Sequence, residues 1–180
     1  MNRTVLAAVA LTAFGWSASA CADEEQYSVP GKLCGIEMDA TIVRSVLPQG
    51  SNLTQHEFPP QKRFFCDVTT NNHQKEDLQI LVSRHPDRLS NPIWEDNVPP
   101  EFTFRDMRPS DLGDRAAIGS ESAIADVRCM GGRVKEDKYL TVRMSLPWLL
   151  RDENDGKVSR PEIEKFLDAY LKGQMRNHSC

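Results

Sequence analysis

The chain has 180 residues, of which 22 are Lys or Arg and 26 are Asp or Glu, so its formal net charge is −4 at pH 7. An acidic surface is repelled by nucleic acid and by anionic lipid, so neither is expected as a partner. A hydrophobic fraction of 39% is sufficient for one packed domain of this length.

The first 21 residues have the pattern of an export signal. Arg3 provides a short basic region, residues 5–13 an apolar run, and Ala18-Ser19-Ala20 a small-residue stretch before Cys21. The run is too short for a permanent membrane span. We therefore expect a signal peptide over residues 1–20, a polar tether over 21–31 and one globular domain over 32–180, located outside the cell or at its surface.

Five cysteines leave one without an intramolecular partner. If Cys21 is lipidated at a lipoprotein cleavage site, four cysteines remain for two disulfides, and a lipid on Cys21 is the only membrane contact expected. Ala18-Ser19-Ala20 also fits an ordinary signal-peptidase site, which would leave one thiol unpaired or in an intermolecular bridge. The sequence is compatible with both interpretations, lipidation of Cys21 and ordinary cleavage.

In the first half of the domain, residues 36–47 are expected to form a helix that Pro48 ends. Residues 51–61 are expected to be a loop. Residues 63–69 and 78–84 alternate apolar and polar side chains around the Asn71-Asn72 turn, which indicates a β-hairpin.

A long connection follows over residues 86–114, with a short strand expected around residues 102–104. Residues 123–130 and 139–146 then predict a second hairpin, with Asp126 and Arg128 on its outer face.

A capping box at Ser159-Arg160-Pro161-Glu162 begins a final helix. The fold class expected is α+β, a two-layer sandwich in which an antiparallel sheet of two hairpins is covered by an N-terminal and a C-terminal helix. The residues expected to form the apolar stripe of the final helix are Ile163, Phe166, Leu167, Tyr170, Leu171 and either Gln174 or Met175.

The four remaining cysteines allow three pairings. Cys34 precedes the first helix, Cys66 and Cys129 face inward on strands, and Cys180 follows the last helix. We predict the disulfides Cys34–Cys66 and Cys129–Cys180, because each would fix one helix end to the sheet. Each would contribute about 3 to 4 kcal/mol in the chain-entropy model.

The chain has a leader that ends near a cysteine, the segment from Val29-Pro30 to Cys34-Gly35 before a predicted helix, Cys66 and Cys129 on predicted strands, and a capped terminal helix. In these features it resembles small Gram-positive secreted lipoproteins of unknown function. Some of those are thought to have a PsbP-like α/β fold. The resemblance covers most of the mature chain, and it implies a location and a fold without implying an active site.

Residues 151–162 come closest to a metal-binding motif, a calcium loop with Gly156 at its turn and Glu162 at its last position. Arg151, however, occupies the first ligand position, where an oxygen is needed. We therefore interpret the segment as a polar loop that ends in the capping box.

None of the four histidines, His56, His73, His85 and His178, stands in a zinc-binding spacing, and no serine lies in a nucleophile motif. No metal, cofactor or catalytic residue is predicted. Two functions remain: a non-enzymatic binding or accessory protein of the cell envelope, or a secreted enzyme whose site is assembled only in the fold.

Trp94, Phe102 and Phe104 are large side chains within the polar 86–114 connection. They predict a contact site for an unidentified protein or a small apolar ligand at an edge of the sheet. The alternative is that these aromatic rings pack internally under the connection.

Overall fold

The computed structural model describes residues 27–58, 63–71, 75–88, 102, 104–129, 138–151, 157–178 and 180. The predicted signal peptide and Cys21 lie outside this set. Within the described residues, no helix is both long and apolar enough to cross a bilayer.

In these described ranges, seven strands form one antiparallel sheet in the order β1-β2-β3-β7-β6-β5-β4. Their bounds are β1 Leu53–Phe58, β2 Arg63–Thr70, β3 Leu78–His85, β4 Arg108–Ser110, β5 Arg115–Ile118, β6 Ser122–Arg128 and β7 Tyr139–Ser145. The expected α+β class and antiparallel sheet are confirmed. The expected sheet of two hairpins is wrong: β2–β3 and β6–β7 join through β3 and β7, and three further strands extend the sheet.

The strands that sequence analysis missed are the outer ones. β1 lies within the segment expected to be a loop, and most of its side chains are exposed, so it carries no apolar alternation. β4 and β5 have three and four residues, too few to show a period. Phe102 and Phe104, near which a strand was expected, lie outside every strand.

One face of the sheet, which we term the helical face, packs against the long helix α2 (Arg160–His178). The predicted stripe is confirmed, since Ile163, Phe166, Leu167, Tyr170 and Leu171 are all at most 2% exposed. The rings of Phe166 and Tyr170 stack with centroids 6.2 Å apart. The stripe belongs to one buried apolar cluster with valine, isoleucine and leucine side chains of the central strands, and removing these groups from water stabilises the domain.

The N-terminal helix is much shorter than expected: α1 spans Ala40–Arg44 instead of residues 36–47. It begins at Asp39, whose carboxylate accepts the backbone N–H groups of Thr41 and Ile42, and this capping lowers the pKa of Asp39. The β-branched residues of α1, among them Thr41 and Ile42, have a weak helix propensity, which is consistent with a short helix. α1 packs against α2, so the expectation that two long helices cover the sheet is replaced by one long helix with a short second one beside it.

Residues 33–36, which were expected to lie in that helix or just before it, form a tight turn instead. Leu33 and Ile36 exchange two backbone hydrogen bonds of 2.8 and 3.0 Å. Cys34 and Gly35 between them have φ angles of 49° and 78°. A Cβ added at Gly173 of α2 would lie 2.1 Å from Ile36, so this turn sits directly on the helix.

The packed domain begins earlier than residue 32, within the predicted tether. Tyr27 is 1% exposed. Its N–H donates to the carbonyl of Gly50 at 2.8 Å, and its own carbonyl accepts from Arg44 at 3.3 Å. Burial raises the pKa of Tyr27 to about 12.

Two disulfides join Cys34 to Cys66 and Cys129 to Cys180, the pairing that sequence analysis favours. The first attaches the 33–36 turn to β2, and the hydroxyl of Tyr170 donates to the Cys34 carbonyl at 3.0 Å. The second attaches the end of α2 to the end of β6. Structural disulfides are typical of an oxidising, extracellular-type compartment.

Candidate functional site

The face of the sheet opposite α2, which we term the second face, is buried and yet largely polar. The antiparallel registers place Ser83, Thr141, Arg143 and Ser145 on this face of the two central strands. Each of the four is at most 3% exposed. Side chains at the centre of a sheet usually pack apolar groups, so the polar composition of this face requires an explanation.

An apolar row crosses the second face and is interrupted by one cation. Cross-strand pairing gives the order Phe58, Phe65, Leu81, Arg143, Ile124 and Ala117. Phe58, at the β1 edge, is 52% exposed, whereas Leu81 and Ile124 are 4% and 0% exposed. The row therefore runs from an open edge to a closed centre.

A second set of cross-strand neighbours, which we term the polar row, runs beside the apolar row. Its members are His56, Asp67, Gln79, Ser145 and Ser122, one from each of five adjacent strands. Exposure falls along it in the same direction: His56 is exposed and Asp67 half-buried, while Gln79 and Ser145 are 5% and 0% exposed. In the described part of the chain, neither Gln79 Oε1 nor Ser145 Oγ has a hydrogen-bond partner.

Arg143 belongs to a hydrogen-bonded group on the side of the second face away from the polar row. Its Nη1 donates to Ser83 Oγ at 3.2 Å, and Ser83 Oγ lies 3.0 Å from His85 Nε2. A guanidinium has only donors, so Ser83 accepts from Arg143 and its own proton is available to the histidine.

Asp126 completes the group. It is 0% exposed, and its Oδ1 accepts from Thr141 Oγ1 at 2.8 Å. Burial raises the pKa of Asp126, and the Thr141 hydrogen bond and the charges of His85 and Arg88 oppose that shift only in part. Its second oxygen, Oδ2, has no hydrogen-bond partner among the described residues.

Burial of these polar groups lowers the stability of the folded protein. A buried donor or acceptor without a partner costs about 1–3 kcal/mol of stability. Among the described residues, three such acceptor atoms lie on this face, on Gln79, Ser145 and Asp126. Because these atoms cost stability without contributing to packing, the second face is the candidate functional site.

The structure places two of the three predicted contact residues on or near the second face. The Phe102 ring packs edge-on against Phe65 with centroids 6.3 Å apart, and Phe104 lies 6.5 Å from Phe102. Phe102 is 5% exposed and Phe104 is half-buried. Trp94 lies outside the described residues, so the predicted contact site stays a prediction.

In the described part of residues 151–162, the positions of the calcium-loop pattern take part in other interactions. Arg151, at the first ligand position, donates to Asp77 Oδ1 at 3.0 Å and to the Glu76 carbonyl at 2.6 Å. Glu162 accepts from the Ser159 N–H and hydroxyl, both at 2.7 Å, which lowers its pKa. The described residues contain no group of three or more metal-ligating side chains.

Sequence reasoning missed Gln79, Asp126, Arg143 and Ser145 as candidate site residues. The sequence places polar residues between the apolar ones in β6 and β7, a pattern typical of a sheet with one solvated face. Asp126 was expected to face outward, and the structure buries it instead. Alternation shows which residues share a face, but it does not show that the polar face is covered.

No protein-family model matches this chain, and neither the curated proteins nor the solved structures contain a match.

Proposed function

We propose that the chain is an exported, non-enzymatic binding or accessory protein of the cell envelope, and that its ligand is held on the second face of the sheet. The observation that supports this proposal is the set of buried acceptors on Gln79, Ser145 and Asp126 that have no hydrogen-bond partner in the described part of the chain. Because each costs stability, a bound group that donates to them would recover that cost.

The open end of the second face gives the ligand a route of entry. Phe58 and His56 are exposed at the β1 edge, and exposure decreases from there toward β7. A ligand entering at this edge would contact the Phe65 ring before it reached the buried acceptors. This arrangement of an apolar wall with a few convergent polar atoms is typical of small-molecule sites.

The test is native mass spectrometry of the protein isolated from its own host, using two adjacent phenylalanines as matched variants. Phe64 and Phe65 are both half-buried and lie on opposite faces of β2. We expect wild type and Phe64→Ala to carry a non-covalent small-molecule adduct and Phe65→Ala to lose it. Equal adducts on both variants, or none on wild type, would contradict binding on the second face.

Catalysis is the alternative function, and one observation favours it. Ser83 Oγ lies 3.0 Å from His85 Nε2, the separation of a nucleophile and its general base. Burial also raises the pKa of Asp126 on the same face. Ser83 is only 3% exposed, however, and its hydroxyl is already engaged by Arg143, which suits a structural role better.

Hydrolysis of p-nitrophenyl acetate separates the two functions. Catalysis through Ser83 requires turnover by wild type that Ser83→Ala abolishes and that the Ser45→Ala control retains. The binding proposal expects no difference among the three proteins.

The proposed export and anchoring are tested at Cys21. Lipidation of Cys21 would leave an even number of cysteines, in agreement with the two disulfides that join the other four. We expect Cys21→Ser to release the protein into the medium, and the intact mass of wild type to exceed that of the unmodified mature chain by a diacylglyceryl group. Equal release of wild type and variant into the medium, with an unmodified wild-type mass, would identify a freely secreted protein and contradict lipidation of Cys21.

A further inference from the structure

The two edges of the sheet are built differently. β4 has only three residues, and Pro109 at its centre has no backbone N–H to offer to a further strand. β1 has six residues without a proline, and in the described part of the chain it pairs on one side only, with β2. Its exposed residues are Thr54, His56, Glu57 and Phe58. The β4 edge is therefore protected against strand addition, whereas the β1 edge is open to it.

The outward-pointing backbone groups of β1 follow from its pairing with β2. The Asn71 N–H donates to the Asn52 carbonyl at 3.1 Å, next to the first register pair of the two strands. Hydrogen-bonded pairs alternate along an antiparallel ladder, so the even-numbered residues of β1 direct their N–H and C=O groups at β2. The N–H and C=O groups of Leu53, Gln55 and Glu57 therefore point away from the sheet.

A cation lies beside the middle of β1. The Gln55 side chain accepts from the Cys34 N–H at 2.9 Å and donates to the Lys32 carbonyl at 3.2 Å, which holds the exposed Lys32 next to this strand. Glu57 is also exposed, and it shares a face with Gln55 because the two residues are two positions apart in the strand. The edge therefore carries a positive and a negative charge that are displaced from each other along β1.

These charges are complementary to a second copy of the same edge. When two identical strands pair antiparallel about a two-fold axis, the axis passes through one residue, which then faces its own copy. An axis at Glu57 would oppose two carboxylates, and an axis at Gln55 would place Glu57 opposite Leu53. An axis at His56 instead joins the outward backbone groups of Gln55 and Glu57, and it places Glu57 beside Lys32 of the second copy.

We infer that β1 is a homodimerisation strand, which pairs antiparallel with β1 of a second copy about a two-fold axis at His56. Backbone hydrogen bonds then continue one sheet across the interface. Each Glu57 carboxylate meets the Lys32 ammonium of the other copy. Each Phe58 ring packs beside Thr54 of the other copy. The inference concerns the edge of the sheet and does not depend on what the second face binds.

Charge reversal tests the proposed ion pair. The protein is the mature chain with Cys21→Ser, which removes the cysteine that lies outside the two disulfides. Sedimentation velocity from micromolar to millimolar concentration should show a dimer that dissociates on dilution. Lys32→Glu and Glu57→Lys should each raise the dissociation constant about tenfold or more, because like charges then face each other, and the double variant should restore it. Arg108→Glu, the matched control, reverses an exposed charge on the β4 edge and should change nothing.

A cross-link tests the position of the axis. Opposite residues of a non-hydrogen-bonded pair have Cα atoms about 4.5 Å apart, within the range of a disulfide, so His56→Cys should give a covalent dimer on oxidation. Thr54→Cys, the matched control, is exposed on the same face of β1. It would lie about 13 Å along the strand from its own copy, so it should give no cross-link.

Four results would overturn the inference. If the mature chain stays monomeric up to millimolar concentration, a second copy is not the partner, and a strand of another protein is the occupant left for this edge. A dimer that survives both single charge reversals would be held by a different surface. A double variant that stays dissociated would exclude the pairing of Lys32 with Glu57. Equal cross-linking of the His56→Cys and Thr54→Cys variants would exclude the axis at His56.

Discussion

The helical face and the second face are formed by alternate residues of the same strands, and both are buried, but different interactions hold them. In β7, Val142 and Met144 pack under α2, while Thr141, Arg143 and Ser145 face the other way. The first set gains about 25 cal/mol for each Å² of apolar surface removed from water. The second set must replace its lost hydration with hydrogen bonds, and it does so incompletely.

This difference separates the residues that raise the free energy of unfolding from those that lower it. On the helical face every buried side chain of β7 contributes to packing, so any truncation should weaken the protein. On the second face the partnered atoms should be costly to remove, whereas the atoms without partners should be nearly free to replace. The four predictions below test this contrast, beginning with the largest effect.

Truncation of Phe166 should have the largest effect. Its ring is 1% exposed at the centre of the helical face and stacks on Tyr170. Phe166→Ala should lower the free energy of unfolding by about 3–5 kcal/mol, measured by urea denaturation, because it removes apolar burial and leaves a cavity. The matched control is Phe58→Ala on the second face, where the ring is 52% exposed. A loss below about 1 kcal/mol for Phe166→Ala would contradict the assignment of the core to this face.

Removal of the Cys34–Cys66 disulfide should have the second-largest effect on stability. The bridge spans a sequence separation of 32 residues and ties the 33–36 turn to the helical face of β2. The double variant Cys34→Ser, Cys66→Ser should lose about 3 kcal/mol, mainly because the unfolded chain gains conformational freedom. Reduction of the wild-type protein should reproduce this loss together with that of the Cys129–Cys180 bridge. A double variant as stable as wild type would show that packing alone fixes the turn.

How much of this molecule the sequence predicts also differs between the two faces. The apolar alternation in β6 and β7 and the stripe of α2 identify the helical face because hydrophobic period reports burial directly. The pairing of the four cysteines follows from their places at helix ends and on inward strand positions. Both depend on local pattern, and both are confirmed.

The second face was not predictable from the same pattern. Thr141 and Arg143 are residue types that usually face solvent, and nothing local shows that this face is covered. The polar row from His56 to Ser122 is brought together by the register of five strands. One of these strands, β1, has no apolar alternation from which it could be predicted. Such a site follows from tertiary pairing, which single-strand periodicity does not contain.

The third prediction concerns a partnered atom on the second face. Thr141 Oγ1 donates to Asp126 Oδ1 at 2.8 Å, and both residues are 0% exposed. Thr141→Val has nearly the same volume but leaves the carboxylate with one partner fewer, so it should cost about 1–3 kcal/mol at neutral pH. Thr141→Ser keeps the donor and should cost less. Equal losses for the two variants would attribute the effect to packing and not to the hydrogen bond.

The smallest effect is expected at Asp126 itself, and it depends on pH. Burial raises the pKa of this carboxyl above its ordinary value of 3.8. The contribution of Asp126 to stability is therefore present below its unfolded pKa and is lost as the pH rises through its folded value. Asp126→Asn keeps an oxygen for Thr141 and cannot ionise, so its stability relative to wild type should increase between acidic and neutral pH, by less than the loss in Thr141→Val.

Asp39 provides the control with the opposite sign. Hydrogen bonds from the backbone N–H groups of Thr41 and Ile42 lower the pKa of Asp39, so its contribution is present above its unfolded pKa and is lost as the pH falls. Relative to wild type, Asp39→Asn should therefore become less stable as the pH rises over the same interval, whereas Asp126→Asn becomes more stable. Urea denaturation of the three proteins at several pH values measures both slopes. Slopes of the same sign would mean that Asp126 is stabilised as a carboxylate on the second face, and that the burial of this face is offset by charge interactions.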